Sequence, residues 1–181
     1  MAMLCPVCKT DELATEDVGE GLASLRCQTC SGNWLPSYVY WKWRQRQGAG
    51  APPPPEPVKA AARGQEPKGV KFCPECRTIL ARYRVRAEVP FGVDRCGNCA
   101  GIWFDQGEWQ VLKERGLHRD LDFIFNSAWQ AKVRHAESEA REEVALRKLL
   151  GEADYAEARR IKDWMSRHPR RRELQFFLGP G

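Results

Sequence analysis

Long apolar runs are missing from this chain of 181 residues. No stretch approaches the ~18 consecutive apolar residues that a membrane-crossing helix needs. The opening Met1-Ala-Met-Leu-Cys-Pro has neither a charged leader nor an apolar core. No secretory signal is expected, and the cytoplasm is the expected compartment. Histidine is scarce, and none of His118, His135 and His168 has a cysteine at metal-ligand spacing. No Ser/His/Asp signature, no nucleophile with a plausible base and no phosphate-cradling glycine loop is legible. These absences predict a protein that is not an enzyme.

Cysteine, in contrast, is plentiful and ordered. Cys5-Pro-Val-Cys8 is answered by Cys27-Gln-Thr-Cys30, and Cys73-Pro-Glu-Cys76 by Cys96-Gly-Asn-Cys99. All 8 cysteines are used, and 18 and 19 residues separate the paired units. This is the spacing of four-thiolate zinc ribbons. Two residues between cysteines let one tight turn aim two sulfurs at a point, and the long interval lets a β-hairpin return the second turn. Four thiolates at tetrahedral corners fill a zinc ion's coordination sphere, whereas a catalytic zinc keeps a position open. Disulfides would need an oxidising compartment. A redox CxxC would sit once in a βαβ pattern. Tetrahedral sulfur also suits iron as an electron carrier, but the doubled pattern favours two Zn²⁺ per chain. A ribbon of ~45 residues buries too little apolar surface to be stable alone, and the metal supplies the missing free energy. The formal charge is +5, and eight thiolates with two divalent ions lower it to near +1. A global electrostatic case for nucleic acid is therefore weak.

The second copy continues as Asp94-Arg-Cys-Gly-Asn-Cys-Ala-Gly-Ile-Trp-Phe-Asp-Gln-Gly-Glu108. It closely resembles the bacterial zinc-ribbon family named for its likeness to the transcription factor IIB ribbon, whose signature is CPxC, a hairpin, then CxxCxGxWxDxGE. Cys73, Cys76, Cys96, Cys99, Gly101, Trp103, Asp105, Gly107 and Glu108 carry the match. The first copy keeps Cys5, Pro6, Cys8, Cys27, Cys30, Gly32 and Trp34, but has Pro36, Tyr38 and Val39 where the second has Asp105, Gly107 and Glu108. The resemblance implies metal binding and brings no biochemical activity with it.

The chain divides into a first ribbon with an aromatic-basic helix (1–47), a Pro/Ala-rich linker (48–71), a second ribbon with a capped helix (72–117) and an α-helical arm (118–181). The expected fold class is a small α+β protein: two four-cysteine zinc ribbons, each a β-hairpin with a short following helix, plus the C-terminal arm. The first hairpin turns at Gly19-Glu-Gly21, and Ser37 is expected to cap the helix that follows. The run Gly48–Pro57 reads as a polyproline II spacer, which predicts ribbons that fold and load independently. The second hairpin turns near Pro90-Phe-Gly92. Asp105 and Glu108 form a capping-box pattern, with a second metal or a catalytic carboxylate pair as the sharper alternative. In the arm, Phe125, Trp129, Val133, Ala136, Ala140 and Val144 mark one stripe of a long helix over 119–150. Gly151 breaks it. A second helix over 153–167 turns Tyr155, Ala158, Ile161, Trp164 and Met165 inward, and a short piece spans 170–178.

Several residues stand out as candidates for contact. Trp34 and Trp103 follow a zinc knuckle at the same offset and are expected to shield the metal. Tyr38, Tyr40, Trp41 and Trp43, interleaved with Lys42, Arg44 and Arg46, point around most of their helix. Arg82, Arg84 and Arg86 alternate with Ile79, Ala81, Tyr83 and Val85, which predicts an arginine row opposite an apolar face. That row either is solvated, contacts phosphates, or docks on Glu12, Glu16, Asp17 and Glu20 of the first hairpin. The arm lacks a complete core and is expected to rest on a ribbon, a partner or a second copy of itself. The leading expectation is a protein–protein adaptor or assembly module. A nucleic-acid-binding or transcription-associated ribbon, using the same basic residues, is the alternative, and no membrane contact is expected.

Overall fold

The computed structural model describes residues 3–9, 12–47, 69–86, 89 and 91–179. The proline-rich run and Pro90 lie outside them. The chain forms two units, residues 1–136 and 137–181.

In the first unit the ribbons share one sheet. Strands β1 (Leu13–Asp17), β2 (Ala23–Cys27) and β3 (Asn33–Leu35) come from the first ribbon; β4 (Leu80–Arg84), β5 (Gly92–Cys96) and β6 (Ile102–Phe104) come from the second. The strand order is β1-β2-β3-β6-β5-β4. The predicted separation is thereby corrected: β3 and β6 pair antiparallel, with Asn33 opposite Phe104, Trp34 opposite Trp103 and Leu35 opposite Ile102. The register is symmetric about the tryptophan pair. Backbone hydrogen bonds join the ribbons, not the opposite charges that the hairpins suggest.

The period of two along a strand then makes two cores. One face of the sheet carries Leu35, Ile102 and Phe104, packed with Leu22, Val85, Val93, Tyr40, Trp43, Trp109, Leu112, Leu121 and Ile124. Val93 lies on β5, Leu22 and Val85 adjoin β2 and β4, and the rest come from helices α1 (Ser37–Arg46), α2 (Glu108–Glu114) and α3 (Leu121–Phe125). The other face carries Trp34 and Trp103 with Cys5, Cys27, Cys73, Cys96 and Leu80. Both cysteine sets and both tryptophans thus lie in one core that crosses the seam between the ribbons.

Side chains tie the helices down across the two ribbons. Trp109 Nε1 of α2 and Lys113 Nζ both donate to the Val18 carbonyl at 3.1 Å. Trp43 Nε1 donates to the Glu20 carbonyl at 3.0 Å. The Leu121 N–H donates to the Tyr40 hydroxyl at 3.1 Å. The Ser37 hydroxyl donates to the Cys99 carbonyl at 2.8 Å, so it bridges to the other ribbon and does not cap α1.

Past residue 118 the expected continuous helix is interrupted. α3 ends at Asn126, whose side chain accepts from the Ala128 N–H at 2.8 Å and caps α4 (Ser127–Arg167). Trp129 and Val133 are buried, as the stripe predicts, and Trp129 Nε1 donates to the Val85 carbonyl at 2.9 Å. In the second unit Gly151 (φ 80°, ψ 163°) breaks α4 at the expected residue. Arg147 bonds Glu143 and Glu152, Arg159 Nη1 reaches Glu143 Oε1 at 2.8 Å, and α5 spans Arg171–Leu178. Of the residues expected to turn inward, Tyr155 and Met165 are half-buried, whereas Ala158, Ile161 and Trp164 are exposed, as is Val144 of the predicted stripe.

Candidate metal centre

Each knuckle is a tight turn that returns its backbone to its own sulfur. Val7 N–H and Cys8 N–H lie 3.4 and 3.3 Å from Cys5 Sγ. Asn98 N–H and Cys99 N–H lie 3.4 and 3.5 Å from Cys96 Sγ. The residue after each second cysteine (Lys9, Ser31, Arg77 and Ala100) has a left-handed backbone, with φ between 57° and 67°. Such a conformation is costly outside glycine. Its recurrence four times shows that the sulfur turn dictates the backbone.

The four turns make two sites. Cys5, Cys8, Cys27 and Cys30 form one cluster, and Cys73, Cys76, Cys96 and Cys99 the other; within each, all four Sγ atoms lie within 4.8 Å of one another. The Sγ–Sγ separations are 3.6 Å for Cys5–Cys30, 3.8 Å for Cys8–Cys27, 3.5 Å for Cys73–Cys99 and 3.4 Å for Cys76–Cys96. A tetrahedron with Zn–S bonds of about 2.3 Å has edges of about 3.8 Å. No disulfide links any of the eight. Burial pushes the Cys5 and Cys73 thiols up to about 11, so these sulfurs resist ionisation without a cation beside them. The donor set fits zinc, which supplies a cross-link between two turns; four sulfurs leave no coordination position for a substrate.

Residues 72–115 match the family model of the transcription factor zinc-finger. This zinc ribbon of the transcription factor IIB type therefore covers the second cysteine set, and the first repeats its geometry outside the matched span. Comparison with curated proteins gave no match, and comparison with solved structures gave none either.

The structure also accounts for the ribbon's glycine and tryptophan. A Cβ on Gly32 would sit 2.1 Å from Trp103 Cζ2, and one on Gly101 would sit 2.2 Å from Trp34 Cζ2. Each tryptophan thus lies on the glycine of the other ribbon. Both tryptophans pack in one core with the cysteines, and across the seam they also form a reciprocal clasp.

The acidic residues of the second ribbon form a buried charge cluster. Lys71 Nζ donates to Asp94 Oδ2 at 2.7 Å and to both Asp105 oxygens at 2.8 and 2.7 Å. Arg82 Nη1 donates to Asp94 Oδ2 at 3.0 Å, and Arg82 Nη2 lies 3.6 Å from Glu108 Oε1. Trp103 Nε1 donates to Asp105 Oδ1 at 2.8 Å. Half of the capping box is present, since Glu108 Oε2 accepts from the Asp105 N–H at 2.9 Å. The other half is not: α2 starts after Gly107 without a side-chain cap. Desolvation raises the Glu108 carboxyl to about 8. Held protonated, it leaves two cations facing two carboxylates. Lys71, Asp94 and Glu75 escape a reading by motif. For Asp94 the signal lies in register, because Asp94 and Arg82 are paired across β4 and β5.

The candidate contact residues scatter. Tyr40 and Trp43 are core. Arg44 pairs with Asp120 at 3.1 Å, and Arg46 donates to the Gly21 carbonyl at 3.4 Å. Tyr38, Trp41 and Lys42 remain exposed. The arginine row is not a solvated face, because Arg82 sits in the charge cluster and Arg86 is buried with its guanidinium 5.8 Å from the Trp129 ring. Arg84 is half-buried, and its backbone bonds Gln130. The apolar alternation slips too, with Ile79 exposed and Leu80 buried. Trp41 and Phe123 flank an open depression of about 380 Å³ that Arg44, Arg119, Asp120 and Asp122 also line.

Proposed function

We propose that the protein is a non-enzymatic scaffold in which two zinc ions hold a six-stranded platform rigid for protein–protein contact, as an adaptor or assembly module of the reducing cytoplasm. The observation that carries this reading is the closed four-sulfur geometry of both sites, which suits a structural ion. The contact surface on the first unit is narrower than the aromatic helix suggests: Trp41 and Phe123 line the depression, and Tyr38 of the same helix as Trp41 is also exposed. Exposed aromatics grouped beside a depression are the usual anchors of protein interfaces.

The nucleic-acid reading draws less support, because Arg82, Arg86 and Arg44 are already engaged with carboxylates or rings. The two readings separate in one experiment. The zinc-loaded protein is used to capture partners, with and without nuclease, beside a Tyr38→Ala/Trp41→Ala double variant. Partners that survive nuclease and are lost with the variant support the scaffold. Capture abolished by nuclease, or a steep fall in binding to nucleic acid with salt, would refute it.

A further inference from the structure

The second unit is a helical body without a core. From Ser138 to Gly179 no residue is buried. Yet the segment carries Val144 (67% exposed), Leu149 (79%), Trp164 (53%), Phe176 (91%) and Phe177 (81%). Within the unit, ion pairs such as Arg159–Glu143 and the Arg147 stack on Tyr155 hold the two sides of Gly151 together. Exposed ion pairs contribute little, and helices of this length depend on a packed apolar face. The apolar side chains therefore lack a cover.

Charge points to what covers them. Residues 137–157 hold seven carboxylates against three cations, whereas residues 158–178 hold seven cations against two carboxylates. The apolar side chains are divided between the two halves: Val144 and Leu149 lie in the acidic half, and Ile161, Trp164, Phe176 and Phe177 in the basic half. An anionic lipid surface would suit the basic half alone, repel the acidic half and leave Leu149 wet. A second copy laid antiparallel matches acidic to basic twice, once on each side of a twofold axis, and covers both sets of apolar residues. We infer that residues 137–178 are an antiparallel homodimerisation arm. This deepens the reading of the protein as a contact scaffold by naming a second copy as the partner of its arm.

Sedimentation equilibrium of the full zinc-loaded chain tests this. The native protein should be a dimer whose dissociation constant rises with salt. Phe176→Ser/Phe177→Ser should weaken the dimer by about tenfold or more, with zinc content unchanged, because both residues are exposed in the single chain and lie far in sequence from the cysteines. Arg170→Glu/Arg171→Glu/Arg172→Glu should weaken it as well, and mixing with Glu142→Lys/Asp154→Lys chains should restore a mixed dimer. A native chain that stays monomeric overturns the inference. So does a native chain that is monomeric in solution and binds phosphatidylserine vesicles through Phe176 and Phe177. A monomer that still captures partners through Tyr38 and Trp41 refutes the dimer alone; a dimer that captures none refutes the adaptor surface alone.

Discussion

Trp34 Nε1 donates to Glu75 Oε1 at 3.0 Å, although the two residues belong to different ribbons. Trp103, its counterpart, uses its own ribbon's Asp105. The difference follows from the sequence, because Pro36 stands in the first ribbon where the second has Asp105. The first ribbon therefore borrows a carboxylate from the second. Trp34 is fully buried, so removing the acceptor strands an indole N–H. Glu75→Ala should lower stability by about 1–3 kcal/mol and leave zinc content untouched. Thermal unfolding alongside a metal assay checks both parts, and an unchanged melting temperature would disprove the link.

The reciprocal clasp makes a sharper demand on the glycines. Gly32→Ala and Gly101→Ala each drive a methyl into a rigid indole on the opposite ribbon. Each should destabilise the sheet by ~1–3 kcal/mol or more, as overpacking does. Gly97→Ala is the control, since nothing lies within 4 Å of its added Cβ. Chemical denaturation of the three variants should rank Gly97→Ala well above the other two.

A shared seam also couples the metals. Cys5, Cys27, Cys73 and Cys96 pack in one core with both tryptophans. Cys96→Ser should therefore weaken zinc at the first site as well, by about tenfold or more in chelator competition, although all four first-site cysteines remain. An unchanged affinity there would restore the picture of two independent ribbons.

Glu108 gives the fold a pH signature. Its carboxyl is raised from an ordinary 4.5 to about 8 by desolvation, with Asp105 adding to the rise and the Asp105 N–H, Arg82 and Lys71 opposing it. Between those values the folded chain keeps a proton that the unfolded chain has released. Stability from this group is full below about 4.5 and is lost as pH climbs to about 8, at no more than ~1.4 kcal/mol per pH unit. Glu108→Gln keeps an acceptor for the Asp105 N–H and removes the titration. Its stability relative to the native chain should rise steadily with pH across that window. A constant difference would contradict the assignment.

The metal ligands were legible in the sequence because spacing alone specifies a sulfur turn, and the turn at Gly19–Gly21 and the break at Gly151 were legible because few other residues tolerate those backbones. The joining of the ribbons was not, because β3 and β6 are three residues long and their pairing is set by contacts 69 residues apart in register, Trp34 with Trp103. The same tertiary fact misled the reading of the aromatic helix. Tyr40 and Trp43 fill a core that exists only once both ribbons share a face. The arginine row failed similarly, since Asp94 sits opposite Arg82 and pairs with it. Of the capping box expected at Asp105 and Glu108 only the Glu108 half formed, and the partners Lys71 and Arg82 lie outside the signature.

Everything rests on two saturated four-sulfur ions that stiffen one sheet. X-ray absorption at the zinc edge, with elemental analysis of the purified chain, measures this directly. Two zinc per polypeptide with four sulfur neighbours at about 2.3 Å is the expected result. One ion per chain, or an oxygen or nitrogen ligand in either shell, would contradict it.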